Sequence, residues 1–246
     1  MKSLFTLFCL FALSPLLFAQ PAAPATCTAI KAAPLPAGVA SIWTRNGSAW
    51  AQRSTLRVRF LTGSKRQKEQ AWQRMAAIDE LVNLTFVQVT TGAAEIRVRF
   101  DRDKGHWSYV GVAARAVPSN APTMNLALMA GVFGDTPEEW DRVTWHETLH
   151  AIGIEHEHQH PKAGIPWNKE AVYRYYESTQ GWSREQIDFQ VLNRYRGTGY
   201  QGTSFDRESI MLYPVPESLT TNGFSVGWNK ALSATDIAFL RTLYPS

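Results

Sequence analysis

His146, Glu147, His150 and His156 are the residues of this sequence whose types and spacing do chemistry; they lie in the run HETLHAIGIEH. Two histidines four apart on a helix project from one face, about one turn apart. Their imidazoles therefore reach a single tetrahedral zinc ion. Glu147 stands beside the first of them, where its carboxylate reaches a zinc-bound water. A third ligand at His156 requires the chain to turn back after the helix. Gly153 permits that turn, because glycine adopts positive φ at little cost. The spacing sets three ligands on one ion and leaves a fourth position open. A closed structural zinc site would need a fourth protein ligand, and the two cysteines, Cys9 and Cys27, are distant in sequence.

Something must hold that helix in place. Thr136 is its expected N-cap, Pro137 suits its first position, and Glu139 completes a capping box. Trp145, Leu149 and Ile152 share one face, which is buried. Upstream, Leu56 to Leu61 alternates as a strand. Ser64 with Gln67 opens a helix to about Val82 that buries Trp72, Met75, Ile78 and Leu81. Leu84 to Thr90 and Glu95 to Phe100 are two further strands, an α/β opening. Gly105 to Asn120 reads as irregular, and Thr123 to Met129 as a short strand. Downstream, Asn168 caps a helix through Tyr176, and Ser183 with Gln186 opens another toward Leu192. Residues 197–206 read as loop. Ser233 with Asp236 opens a last helix reaching Tyr244.

Hydrophobic residues make up 45% and charged residues 19% of the 246 positions, the balance of a globular enzyme. Arg57, Arg59, Arg97 and Arg99 alternate with apolar residues, the pattern of strands with one solvated face. The formal charge of +4 comes without clustered basic residues, so a nucleic-acid partner is not expected. Lys2, the apolar run Leu4 to Phe18 and Ala19 read as a signal peptide over residues 1–19. Export to the periplasm or the medium is expected, with no stable membrane association after cleavage. Residues 20–53, rich in Ala and Pro at their start, read as a linker or short prosegment, and 54–246 as the folded domain. With Cys9 in the signal, Cys27 has no intrachain partner. It reads as a free thiol, with latency through a zinc-bound thiolate or lipidation as alternatives.

The pattern HExxHxxGxxH resembles the zinc signature of the metzincins. His156-Glu157-His158-Gln159 resembles the astacin family within them. Ser209-Ile210-Met211-Leu212-Tyr213 is similar to that family's Met-turn. The resemblance spans roughly residues 54–246. It implies an α+β, two-lobed catalytic domain: an N-terminal mixed sheet with helices, zinc on the active-site helix, and a loop-rich helical C-terminal lobe. It implies a zinc endopeptidase acting on peptides or proteins; the chain is expected to be a monomer. One zinc would sit on His146, His150 and His156, with Glu147 as general base. Tyr213 would ligate zinc at rest and then hold the oxyanion; a buried aromatic with a satisfied hydroxyl is the alternative. Met211 would form an apolar floor. Glu157 would anchor the mature N-terminus or a group behind the ligands, or be a solvated acid. Substrate would add as a strand at the edge Thr123–Met129.

Two features depart from the family pattern. Leu212 stands where the Met-turn commonly has His, and the disulfides of secreted animal members are impossible here, which points to a bacterial branch. Among the remaining histidines, His158 and His160 read as a polar loop rather than a second metal site, and His106 as structural. Phe133-Gly134-Asp135 only faintly resembles an inhibitory motif. A catalytically silent zinc-binding or adhesion module is the competing function.

Overall fold

The computed structural model describes residues 28–30, 43–45, 47–127, 136–195, 200–202 and 204–246. The expected signal peptide, Cys27 and Phe133-Gly134-Asp135 lie outside them.

The strands are β1 (Thr28–Ile30), β2 (Trp43–Arg45), β3 (Thr55–Phe60), β4 (Thr85–Gln88), β5 (Ile96–Arg99), β6 (Trp107–Tyr109), β7 (Met124–Asn125) and β8 (Tyr200–Gly202). The helices are α1 (Lys65–Ala76), α2 (Pro137–Ala151), α3 (Lys169–Gln180), α4 (Arg184–Ile187) and α5 (Ala234–Leu243). Six strands form one sheet in the order β1-β6-β7-β5-β3-β4. All neighbours in it are parallel except β6 and β7. The expected α+β class holds.

Local chemistry accounts for the elements. In β3, Leu56 and Val58 are fully buried, while Arg57 turns outward to Glu95. The Ser64–Gln67 capping box forms at the start of α1, and Met75 and Ile78 enter the core. The helical run ends as a 3-10 turn at Glu80, two residues short of expectation. The main core lies between the sheet and α1 and α2, and includes Leu56, Val58, Met75, Ile96, Val98, Leu149 and Met211. Burying each such side chain contributes about 1.5–3 kcal/mol.

Several expectations are corrected. Arg97 is buried, not solvated: the segment 117–121 lies over it, and the guanidinium donates to the carbonyls of Ala94, Val117, Pro118 and Ala121. Four carbonyls replace the water it loses. The stretch Gly105–Asn120 contains β6, and the 197–206 stretch contains β8, which pairs antiparallel with β2. These short strands lack a period-two signal and form only because a partner strand is presented. Of the expected edge at Thr123–Met129, the part that forms a strand, β7, is interior, pairing with β5 on one side and β6 on the other, while residues 128 and 129 lie outside the described residues. The stretch read as linker supplies β1 and β2, and Trp50 is buried in the core.

The C-terminal lobe holds two smaller apolar clusters. One joins Val172, Tyr176, Ile187 and Val191 to Tyr213; the other joins Ala163, Ile165 and Val215 to Leu212.

Candidate metal centre

Helix α2 positions the first two ligands. Its N-cap Thr136 accepts from the Glu139 amide at 3.2 Å. The expected reciprocal half of a capping box does not form there: Glu139 turns instead to Arg142, with contacts of 2.8 and 2.5 Å. At the other end Gly153 has φ of 110°. A Cβ at Gly153 would also lie 3.1 Å from backbone atoms of Ser48 and Ala49, so the position requires glycine twice over. The last helical carbonyls are capped from distant sequence. The Trp50 indole donates to Ala151 at 2.8 Å, and the Tyr244 hydroxyl to Ile152 at 2.5 Å. This satisfies groups that a helix end leaves open.

The chain then returns His156 to the helix. All three imidazoles are buried, with ring centroids 4.8, 5.2 and 4.5 Å apart. His150 and His156 face each other through their Nε2 atoms at 3.0 Å. The candidate ligand atoms of the three lie within 4.8 Å of one another.

The tautomers follow from the neighbours. A carbonyl only accepts, so His146 Nδ1 donates to Ile210 at 2.8 Å and His150 Nδ1 donates to Ile154 at 2.6 Å. In a neutral ring the lone pair is then on Nε2. Burial pushes the His146 pKa down to about 4, so the ring is neutral at pH 7.

These residues fit zinc. His146 Nε2 is buried and makes no hydrogen bond, which a metal bond would remedy. Two nitrogens bound to one tetrahedral zinc stand about 3.3 Å apart at the usual bond lengths, close to the 3.0 Å found. Backbone carbonyls on Nδ1 are what orients a histidine ligand. Among the described residues no fourth His, Cys, Asp or Glu joins the cluster, the pattern of an open rather than a closed zinc site.

Glu147 is buried on α2 next to His146. Tyr213 is buried, with its ring centroid 4.3 Å from that of His156 and 4.2 Å from that of His158. The turn before it closes through Leu212 N–H to Ser209 O, 3.1 Å. Successive residues of the turn enter different cores: Met211 the main one, Leu212 and Tyr213 the two smaller ones. Leu212 is therefore apolar for packing reasons.

The remaining candidates sort as follows. Glu157 is not a solvated acid. It is buried, its carboxylate accepts from the Asp206 amide at 2.7 Å, and burial pushes its pKa up to about 8. His158 and His160 are not on a polar loop; both are fully buried. His158 Nε2 donates to Gln190 O at 2.8 Å and His160 Nδ1 accepts from Lys162 N–H at 3.0 Å. His158 ties the chain behind the ligands to the second lobe, and His160 closes the local turn to Lys162, where the turn at Gly153 carries the chain inward. His106 is structural, its Nδ1 accepting from Ala127 N–H at 3.1 Å. Trp50, Tyr244 and Asp236 were not legible as site residues. Only the capping role of Asp236 had a local signal.

Comparison with solved structures defines the class. The chain is similar to a structure of myroilysin at 37% identity, with TM-score 0.79 over 83% of this chain and 98% of that one. A second myroilysin crystal structure matches at 35% identity and TM-score 0.65, over 91% and 92%. High choriolytic enzyme 1, a hatching enzyme zinc-protease of the medaka fish Oryzias latipes, matches in fold at 16% identity and TM-score 0.52, over 77% and 88%. No protein-family model matches the sequence, and no curated protein does. Fold and site together define a metzincin zinc metallopeptidase. Within that class the chain belongs to the astacin-like family, which it shares with myroilysin.

Proposed function

We infer that this chain is an exported zinc-dependent endopeptidase. His146, His150 and His156 would hold the ion. Bound zinc supplies Lewis acidity, acidifying water and polarising a peptide carbonyl. Glu147 takes the proton of the attacking water and passes it to the leaving amine. Its buried position beside His146 keeps bulk water from competing for that proton. The Tyr213 hydroxyl donates to the developing oxyanion. Residues 1–19 serve as the export signal. The observation that carries this reading is the trio of buried imidazoles, two of them aimed by backbone carbonyls.

Substrate would pair as a strand, on the side of β6 that β1 covers. Strand β6 packs against α2 and in the full chain is paired with β1. The prosegment strand and a substrate therefore compete for one edge.

The test is cleavage of an unbiased peptide library, with zinc quantified, by wild type, Glu147→Ala and Tyr213→Phe. The expected result is one zinc per chain in all three and cleavage by the wild type. Glu147→Ala falls by about 10²–10⁴-fold and Tyr213→Phe by about 10²-fold in kcat. A wild type freed of residues 1–40 that binds zinc and cuts nothing would instead identify a silent zinc-binding module.

A further inference from the structure

We propose that Asp236 is a positioning residue for the metal, acting on His146 through a relay of Ser209 and the Ile210–Met211 peptide. Asp236 stands in the first turn of α5, far from the ligand helix in sequence, and is buried. Its Oδ1 accepts from the Ser209 hydroxyl at 2.7 Å. The same Ser209 Oγ accepts from Met211 N–H at 3.1 Å. That amide shares its peptide unit with the Ile210 carbonyl, and the Ile210 carbonyl accepts from His146 Nδ1 at 2.8 Å. The carboxylate's other oxygen holds the Ile210 amide at 3.0 Å and the Ser233 amide at 2.9 Å. The turn is thus fixed from both sides of Ile210.

Each link in this chain polarises the next. A carboxylate accepting from a hydroxyl makes that oxygen a better acceptor, which draws on the amide and enriches its carbonyl. An enriched carbonyl on Nδ1–H raises the basicity of Nε2 and fixes the ring's orientation. The arrangement is a carboxylate–histidine pair lengthened by one hydroxyl and one peptide. It gives a residue of the capping box at the C-terminal helix a second task, because Oδ2 holds the Ile210 amide as well as the cap and Oδ1 takes the Ser209 hydroxyl.

The proposal rests on the three-histidine zinc reading. Its test measures the zinc dissociation constant of the metal-free protein by chelator competition, and the visible spectrum after cobalt substitution. Both are read for wild type, Asp236→Asn, Ser209→Ala and Phe239→Leu. Asp236→Asn keeps the shape but loses the charge, and Ser209→Ala breaks the relay at one atom. Each is expected to weaken zinc about 10–100-fold and to shift the cobalt bands, and the double variant to lose little more than either alone. Phe239→Leu loosens the same helix from its buried apolar side; it is expected to lower Tm while leaving the zinc constant within twofold. A folded Ser209→Ala that binds zinc within twofold of wild type with an unchanged cobalt spectrum would overturn the proposal, whatever Asp236→Asn does. So would a Phe239→Leu that loses as much zinc affinity. A wild type that takes up no zinc would sink the zinc reading itself, a result distinct from either.

Discussion

His150 and His156 meet Nε2 to Nε2 at 3.0 Å, across a turn whose centre is Gly153. They are only six positions apart in the chain, yet a straight helix would place them on different faces. The reversal at Gly153 converts a two-histidine helix face into a three-sided site. It also buries His156 completely, so the third ligand is fixed by packing as well as by the turn.

Gly153→Ala should damage the site more than the fold. The positive φ strains any side chain there, and a methyl group would stand 3.1 Å from the Ser48–Ala49 backbone, which would have to give way. Strain of this kind costs about 1–3 kcal/mol, which denaturant titration will report. Displacement of His156 should weaken zinc at least about tenfold, the scale of lost ligand support. An alanine variant with the wild-type zinc constant would show that the turn does not set His156.

Acid stability should carry the mark of His106. Burial, with Arg142 and His146 nearby, pushes its pKa down to about 3. The unfolded ring titrates near 6.5. Between those values the unfolded state binds the proton and the folded state does not, so stability falls as pH falls. This one group contributes a slope of up to ~1.4 kcal/mol per pH unit, and above pH 6.5 it contributes none. Melting curves of wild type and His106→Gln from pH 7 to 4 should converge toward the acid end, because the variant lacks this proton uptake. Parallel curves would mean that His106 is protonated in the folded protein.

The pairing of Thr28–Ile30 with Trp107–Tyr109 predicts self-competition. A chain of residues 41–246 should show a lower KM for peptides than one of residues 20–246, with kcat changed less. Equal KM values would show that β1 does not stand in the substrate's way.

Much of the site was written locally. The helix face and the glycine stop are short-range patterns, so His146, Glu147, His150 and His156 were legible from spacing, as was the capping box of α5. β1, β6 and β8 were not legible, since three-residue strands exist only where another strand offers its edge. Nor was the burial of Arg97, His158 and His160. Their polar character speaks for solvent, and only the carbonyls and amides brought to them by folding make burial tolerable.

The sequence alone determined which residues carry the zinc chemistry, because helical period and a positive-φ turn act over a few residues. Only the tertiary structure decided how those residues are aimed. Ile210, Asp236, Tyr244 and Trp50 act on the ligand helix from remote parts of the chain. A hydrogen bond across such a separation has no local pattern, since it depends on the packing of the whole core.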